Sequence, residues 1–123
     1  MGADGERQHE RAMAPEDLSR FVLDRLNAGD VDGLVALYEP DAVLALPDGR
    51  VATGSAEIRR AYEQIVAARP AFSPGEQQPT LRTDELALTS TRLAGGATTV
   101  EVARRQPDGT WLWVLDHPSF SVG

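Results

Sequence analysis

Hydrophobic positions recur every three or four residues in the first half of the chain and every two in the second. Leu18, Phe21, Val22 and Leu26 are spaced for one face of a helix. Pro15 suits its first turn, Glu16 and Asp17 suit the positive end of its dipole, and Gly29 stops it. Asp30 is placed to cap a second helix whose buried side would be Leu34, Val35, Leu37 and Tyr38, ended by Pro40. Ala42 to Leu46 is an unbroken apolar run, which predicts a short strand covered on both faces. Pro47-Asp48-Gly49 is turn chemistry, and Arg50 to Thr53 returns as a second strand. Ser55 then caps a third helix with the stripe Ile58, Ala61, Tyr62, Ile65 and Val66. Beyond the proline-rich connector 70–79 the period changes to two. Thr80 to Arg92, Ala97 to Gln106 and Thr110 to Pro118 read as three strands, with hairpin signals at Gly95-Gly96 and Asp108-Gly109.

This order predicts an α+β domain over 15–123, three N-terminal helices followed by a curved antiparallel sheet, with a polar tail over 1–14. Strict alternation in the last strand puts Leu112, Val114 and Asp116 on one face. It puts Trp111, Trp113, Leu115 and His117 on the other, so Asp116 and His117 share a pocket only if a bulge intervenes. With helices on one side of the sheet, the face carrying Trp111 and Trp113 is expected to meet a second subunit.

Composition narrows the chemistry mainly by what is missing. The 123 residues include no cysteine, which removes disulfides, thiolate nucleophiles and cysteine metal sites. All 12 basic residues are arginine, which removes a lysine Schiff base. A net charge of −7 argues against nucleic acid and anionic membrane as partners. No apolar run is long enough to span a bilayer and no secretory core precedes Pro15, so a cytoplasmic protein is expected. His9 has no neighbours to complete a metal shell, and one further histidine, His117, does not make a catalytic metal site; no metal or cofactor is implied.

The stretch LNAGDVDGLVALYEPDAVLALPDG followed by GSAEIRRAY, together with QPDGTWLWVLDHPSF, resembles the SnoaL-like and ketosteroid-isomerase-like branch of the nuclear-transport-factor-two-like superfamily. The resemblance runs from Pro15 to Phe120. It implies a cone, a cystatin-like α+β barrel in which a bent sheet wraps around the helices and leaves an apolar pocket, and dimers formed through the convex sheet face. Matched residue by residue, the isomerases' general base falls on Leu46, which cannot accept a proton, and their phenolic donor falls on Phe21, which keeps the ring without the hydroxyl. Their protonated carboxylic acid falls near Glu101. The usual ketosteroid isomerase mechanism is therefore not expected.

The chemistry left to this chain rests on other residues. Glu101, between valines in TTVEVA, becomes a general acid or donor if it points inward, and a surface glutamate beside Arg92 or Arg104 if it does not. Asp116 is the local candidate for the acid–base aspartate that the resemblance implies, with a loop-bonding role as its alternative. His117 reads either as an interface residue or as a base near the cone mouth. Phe21, Tyr38, Leu46, Tyr62, Leu112 and Val114 are the expected pocket lining, the two tyrosines equally readable as core with a hydroxyl at the edge. The expected function is binding of an apolar carbonyl compound with acid–base capability of an isomerase, cyclase, dehydratase or hydrolase. The alternative is a non-catalytic dimeric module that binds a ligand or a protein.

Overall fold

The computed structural model describes residues 10–68 and 72–120; His9 and the rest of 1–9 lie outside the described residues. Three helices come first: α1 (Asp17–Ala28), α2 (Val31–Val35) and, after two strands, α3 (Gly54–Ala67). The strands are β1 (Tyr38–Ala45), β2 (Val51–Thr53), β3 (Glu76–Gln77), β4 (Leu81–Arg82), β5 (Leu86–Thr89), β6 (Thr91–Arg92), β7 (Thr98–Arg105) and β8 (Trp111–Phe120). They form one sheet in the order β2-β1-β8-β7-β5-β4, with β6 pairing both β7 and β3. No helix among the described residues is long and apolar enough to cross a membrane.

Local chemistry accounts for the helical half. The Asp17 carboxylate accepts the Met13 and Ala14 N–H groups at 3.2 and 3.1 Å, and α1 buries Leu18, Phe21 and Arg25 as one stripe. Gly29 ends α1 in the left-handed conformation at φ 71°, where a side chain would be strained. The Asp30 carboxylate then accepts Gly33 N–H at 2.9 Å and caps α2. The second helix is shorter than expected, because Leu37 lies in a turn and Tyr38 already belongs to β1. Pro40 does not close a helix; it sits inside β1, where the pairing with β8 jumps from Tyr38↔Trp113 to Val43↔Leu115. A proline offers no ladder N–H, so an irregular stretch is where a strand can hold it. That β1–β8 pair is parallel, a connection not foreseen in a sheet expected to be antiparallel throughout.

The largest correction concerns β8. Val102 stands opposite Leu115 and Ala103 opposite Trp113, so β8 spends three residues where β7 spends two. Val114 is the extra residue, a β-bulge that reverses the alternation. Trp111 and Trp113, each 2% exposed, therefore face the helices and belong to the core of their own chain, not to a subunit interface. Asp116, one step of reversed alternation later, faces inward as well. Across the inner face Ala87, Ala103 and Trp113 form one row, two small residues making room for a large one. The opposite face carries the row Leu81, Leu88, Val102, Leu115 and Val43 across five strands.

Residues 10–14, expected to belong to the tail, are strapped to this core. Ala12 is buried and its carbonyl accepts Trp111 N–H at 2.9 Å. The buried Arg25 guanidinium stacks on Phe21, at 5.0 Å, and donates to Glu10 O at 2.5 Å and Gly33 O at 2.7 Å. One cation thus ties strap, first helix and second helix together. Replacing Arg25 with Met keeps the apolar stem and leaves two carbonyls without that donor. We expect a loss of about 2–4 kcal/mol in chemical denaturation, from two hydrogen bonds to a charged group at about 1.5–3 kcal/mol each less partial solvation of the carbonyls. Amide exchange should also speed up selectively at Trp111 N–H; unchanged protection there would show that Arg25 does not hold the strap.

Candidate functional site

Inside the cone a line of polar side chains crosses from α3 to the floor of the sheet. Tyr62 comes from the apolar stripe of α3, Tyr38 from the start of β1, Asp116 from β8 just past the bulge, and Glu101 from the middle of β7. All four are buried. The Tyr38 hydroxyl donates to Asp116 Oδ2 at 2.5 Å, and the two tyrosine hydroxyls lie 2.5 Å apart. A phenol has one hydrogen, and that of Tyr38 is on Asp116, so Tyr62 donates to Tyr38. The result is a directed chain, Tyr62 to Tyr38 to Asp116.

Glu101 and Asp116 are direct cross-strand partners on the inner face. Side chains so placed have Cβ atoms about 5 Å apart, and two ionised carboxylates at that range in an apolar interior repel strongly. Glu101 has the better means of staying charged, since Thr89 Oγ1 donates to its Oε1 at 2.7 Å and the Thr99 hydroxyl also supports the carboxylate. Burial still raises its pKa above the ordinary value. Asp116 is pushed up to about 7, first by burial and then by the Glu101 charge, with the Tyr38 hydrogen bond pulling the other way. Burial and the nearby carboxylate hold both phenols well above their usual range, so Tyr38 and Tyr62 stay protonated donors. A carboxyl that changes charge near neutrality, held by a phenol, can take up or release one proton at working pH.

The other expected site residues sit elsewhere. His117 is exposed on the outer face opposite Val100, away from Asp116. Leu112 stands opposite the exposed Arg104 on the outer face, and Val114 is the bulged residue, so neither shares the inner face with Asp116 as alternation predicted. Phe21 is buried beneath Arg20 and Arg25, at 4.8 and 5.0 Å, and Leu46 packs against the core at the end of β1. Arg104 pairs with Glu39 at 3.0 Å, which leaves Glu101 to its threonines. Thr89 was not singled out from sequence. The alternation Ala87, Thr89 in LALTS was the available signal, since it places the hydroxyl on the same inner row as Glu101. A cleft of about 550 Å³ opens at the other end of β8, between the strap and the 106–112 turn, walled by Arg11, Arg25, Leu37, Asp108, Trp111 and Leu112. Its lining includes none of Tyr38, Tyr62, Glu101 and Asp116; Leu37 and Trp111 of its wall are near neighbours in sequence of Tyr38 and Trp113.

Comparison with known proteins agrees with this architecture. A candidate calcium/calmodulin-dependent protein kinase type II association domain from Thiobacillus denitrificans superposes with a TM-score of 0.75 at 17% identity, over 90% of this chain and 99% of that one. A ketosteroid isomerase-like protein from Erwinia carotovora atroseptica gives 0.68 at 21% identity, over 87% and 94% of the two chains. A domain of unknown function with a cystatin-like fold from Nostoc punctiforme gives 0.71 at 18% identity, over 87% and 75%. Identities this low establish the cystatin-like fold and leave activity open. No curated protein matches the chain in sequence. The family model described as the SnoaL-like domain matches residues 18–117, from the first core residue of α1 to the histidine beside Asp116, and the chain belongs to that family.

Proposed function

We propose that the protein binds an apolar, carbonyl-containing small molecule on the concave side of its sheet and moves a proton on it, with Asp116 as the proton carrier. The observation that carries this reading is the buried Asp116 bonded to Tyr38 at 2.5 Å and facing Glu101 across the strand pair. Such an aspartate serves as general base when ionised, and its Tyr38 partner orients it. Tyr62 holds Tyr38, and burial, with the Glu101 charge second to it, raises the value at which Asp116 ionises. The isomerases' base is absent at Leu46, so the proton carrier would act from the sheet floor instead of from the end of β1.

Exchange of α-hydrogens for deuterium in an apolar ketone such as 1-tetralone, followed by NMR, tests the chemistry without knowledge of the natural substrate. The rate should climb with pH through about 7 as Asp116 ionises, and Asp116→Asn should lower it by about 100-fold or more while ketone binding persists. Bound ketone with no exchange in the wild type would leave the non-catalytic binding module as the function.

The same carboxyl predicts a stability signature. Folding raises its pKa from about 4 to about 7, so between those values the folded state holds a proton the unfolded state has lost. Stability therefore falls as pH rises through that window, by about 4 kcal/mol from this group. Asp116→Asn, neutral at every pH, should be the more stable protein at pH 8 and lose that advantage at pH 4, as read by denaturant melts. A wild-type-minus-variant difference that does not change with pH would show that Asp116 is not held protonated.

We also propose that the active form is a homodimer built on the outer sheet face. With the tryptophans buried, the supporting surface is the apolar row, in which Leu81, Leu88 and Leu115 are 70%, 40% and 50% exposed. Leu88→Arg combined with Leu115→Arg should convert a dimer into a folded monomer in size-exclusion chromatography with light scattering; a dimer that survives both changes uses another surface.

A further inference from the structure

Trp113 is 2% exposed, yet its indole Nε1–H has no hydrogen-bond partner among the described residues. A buried donor left unpaired costs about 1–3 kcal/mol, so such groups are rare and call for an occupant or a reason. This one does not lie in a featureless part of the core. The Trp113 ring meets Tyr38 edge-on with centroids 5.5 Å apart, and Tyr38 is the residue that holds Asp116. Trp113 is also the last residue before the bulge that turns Asp116 inward, and the residue facing it across the strand pair is alanine. The main-chain N–H of Trp113 is satisfied by Leu37 O at 2.8 Å, so the strand is anchored and only the side-chain donor is open.

We propose that the Trp113 indole N–H is a ligand-binding donor of the Asp116 site, which takes the oxygen of a carbonyl or enolate. This rests on the reading of the concave face as a small-molecule pocket. It supplies what the chain lacks at Phe21, a neutral donor for a substrate oxygen, from a different element and with a group that stays protonated at any working pH. It also narrows the ligand class. An acceptor oxygen on an otherwise apolar, ring-sized body fills the donor, whereas the parent hydrocarbon leaves it unpaired and forfeits that hydrogen bond.

The chain has two tryptophans, so protein labelled with ¹⁵N-tryptophan gives two indole signals, assigned with Trp111→Phe and Trp113→Phe. The expected result is that 1-tetralone moves the Trp113 indole proton downfield while tetralin, the same skeleton without oxygen, leaves it in place. Trp113→Phe should then bind 1-tetralone about tenfold more weakly and tetralin equally well, about tenfold being one ordinary hydrogen bond. If either variant fails to fold, the other makes the assignment and the wild-type titration decides. A ketone that binds by calorimetry without moving the signal overturns the proposal and leaves the pocket reading standing; an upfield, immobile signal would show the N–H resting on the Tyr38 ring face. A signal already downfield before ketone is added, from a resident acceptor, overturns it as well. If neither compound binds, the pocket reading itself fails and takes this assignment with it.

Discussion

Two carboxyl side chains facing each other inside an apolar cone set the terms for the rest of this structure. Both are buried, so their charges must be managed by the side chains that surround them. Glu101 receives hydroxyls from Thr89 and Thr99, and Asp116 receives one phenol, itself held by another. The asymmetry of support decides the division of labour. The threonine hydroxyls favour the charged form of Glu101, and Asp116 is left to titrate near neutrality. An arrangement that served packing alone would be replaced at lower cost by two aliphatic side chains, since a buried ionisable pair rarely repays its desolvation.

The bulge at Val114 is what makes the pair possible. Without it, a strand that buries Trp111 and Trp113 would turn residue 116 to the outer face and position 115 inward. With it, one strand contributes large aromatic rings to the core and, within three residues, a carboxylate to the same side. The row opposite, Ala87 and Ala103, is small where Trp113 is large and becomes polar, Thr89 and Glu101, where the strand turns to Asp116. Packing and chemistry thus occupy consecutive rungs of one ladder. The strap 10–14, pinned by Arg25, closes the far end of that ladder over Trp111 and lines the cleft at the β8 start.

How far the sequence carries a reader depends on the range of the interaction involved. The three helices, their caps at Gly29 and Asp30, and the two hairpin turns of the second half are local effects and can be read from a few adjacent residues. The facing of Glu101 stays open in TTVEVA, where valines flank it on both sides, and is settled only by its pairing with Thr89 and Asp116 across the sheet. Tyr38 was misplaced by one element because Leu34 to Tyr38 keeps helical spacing while the helix itself stops at Val35, where the chain is drawn into the β1–β8 pair. The side of Trp113 was not legible at all. A bulge is a property of two strands in register, and nothing in TWLWVLDH marks Val114 as the residue to be skipped.

If Asp116 is the proton carrier, the general base sits on β8 and not at the position of Leu46. Relocating a general base within a cone requires a new position that is buried, points inward and has a donor within reach. A bulge meets the first two conditions with one inserted residue, because it re-aims every side chain beyond it without altering the strand's hydrophobic content. Tyr38 meets the third, and it does so from β1, the neighbour of β8, so the donor and the re-aimed carboxyl are held by the same ladder. On that reading Leu46 and Phe21 are tolerable as apolar residues, because the base and donor that the isomerases carry at those positions would have a substitute on β8. Glu101 and Asp116 stand in the longest strand pair of the fold, whose paired backbones fix the spacing between them. A carboxyl whose pKa depends on a neighbour across one rung needs that fixed spacing, since a displacement of an ångström would change both its desolvation and its repulsion.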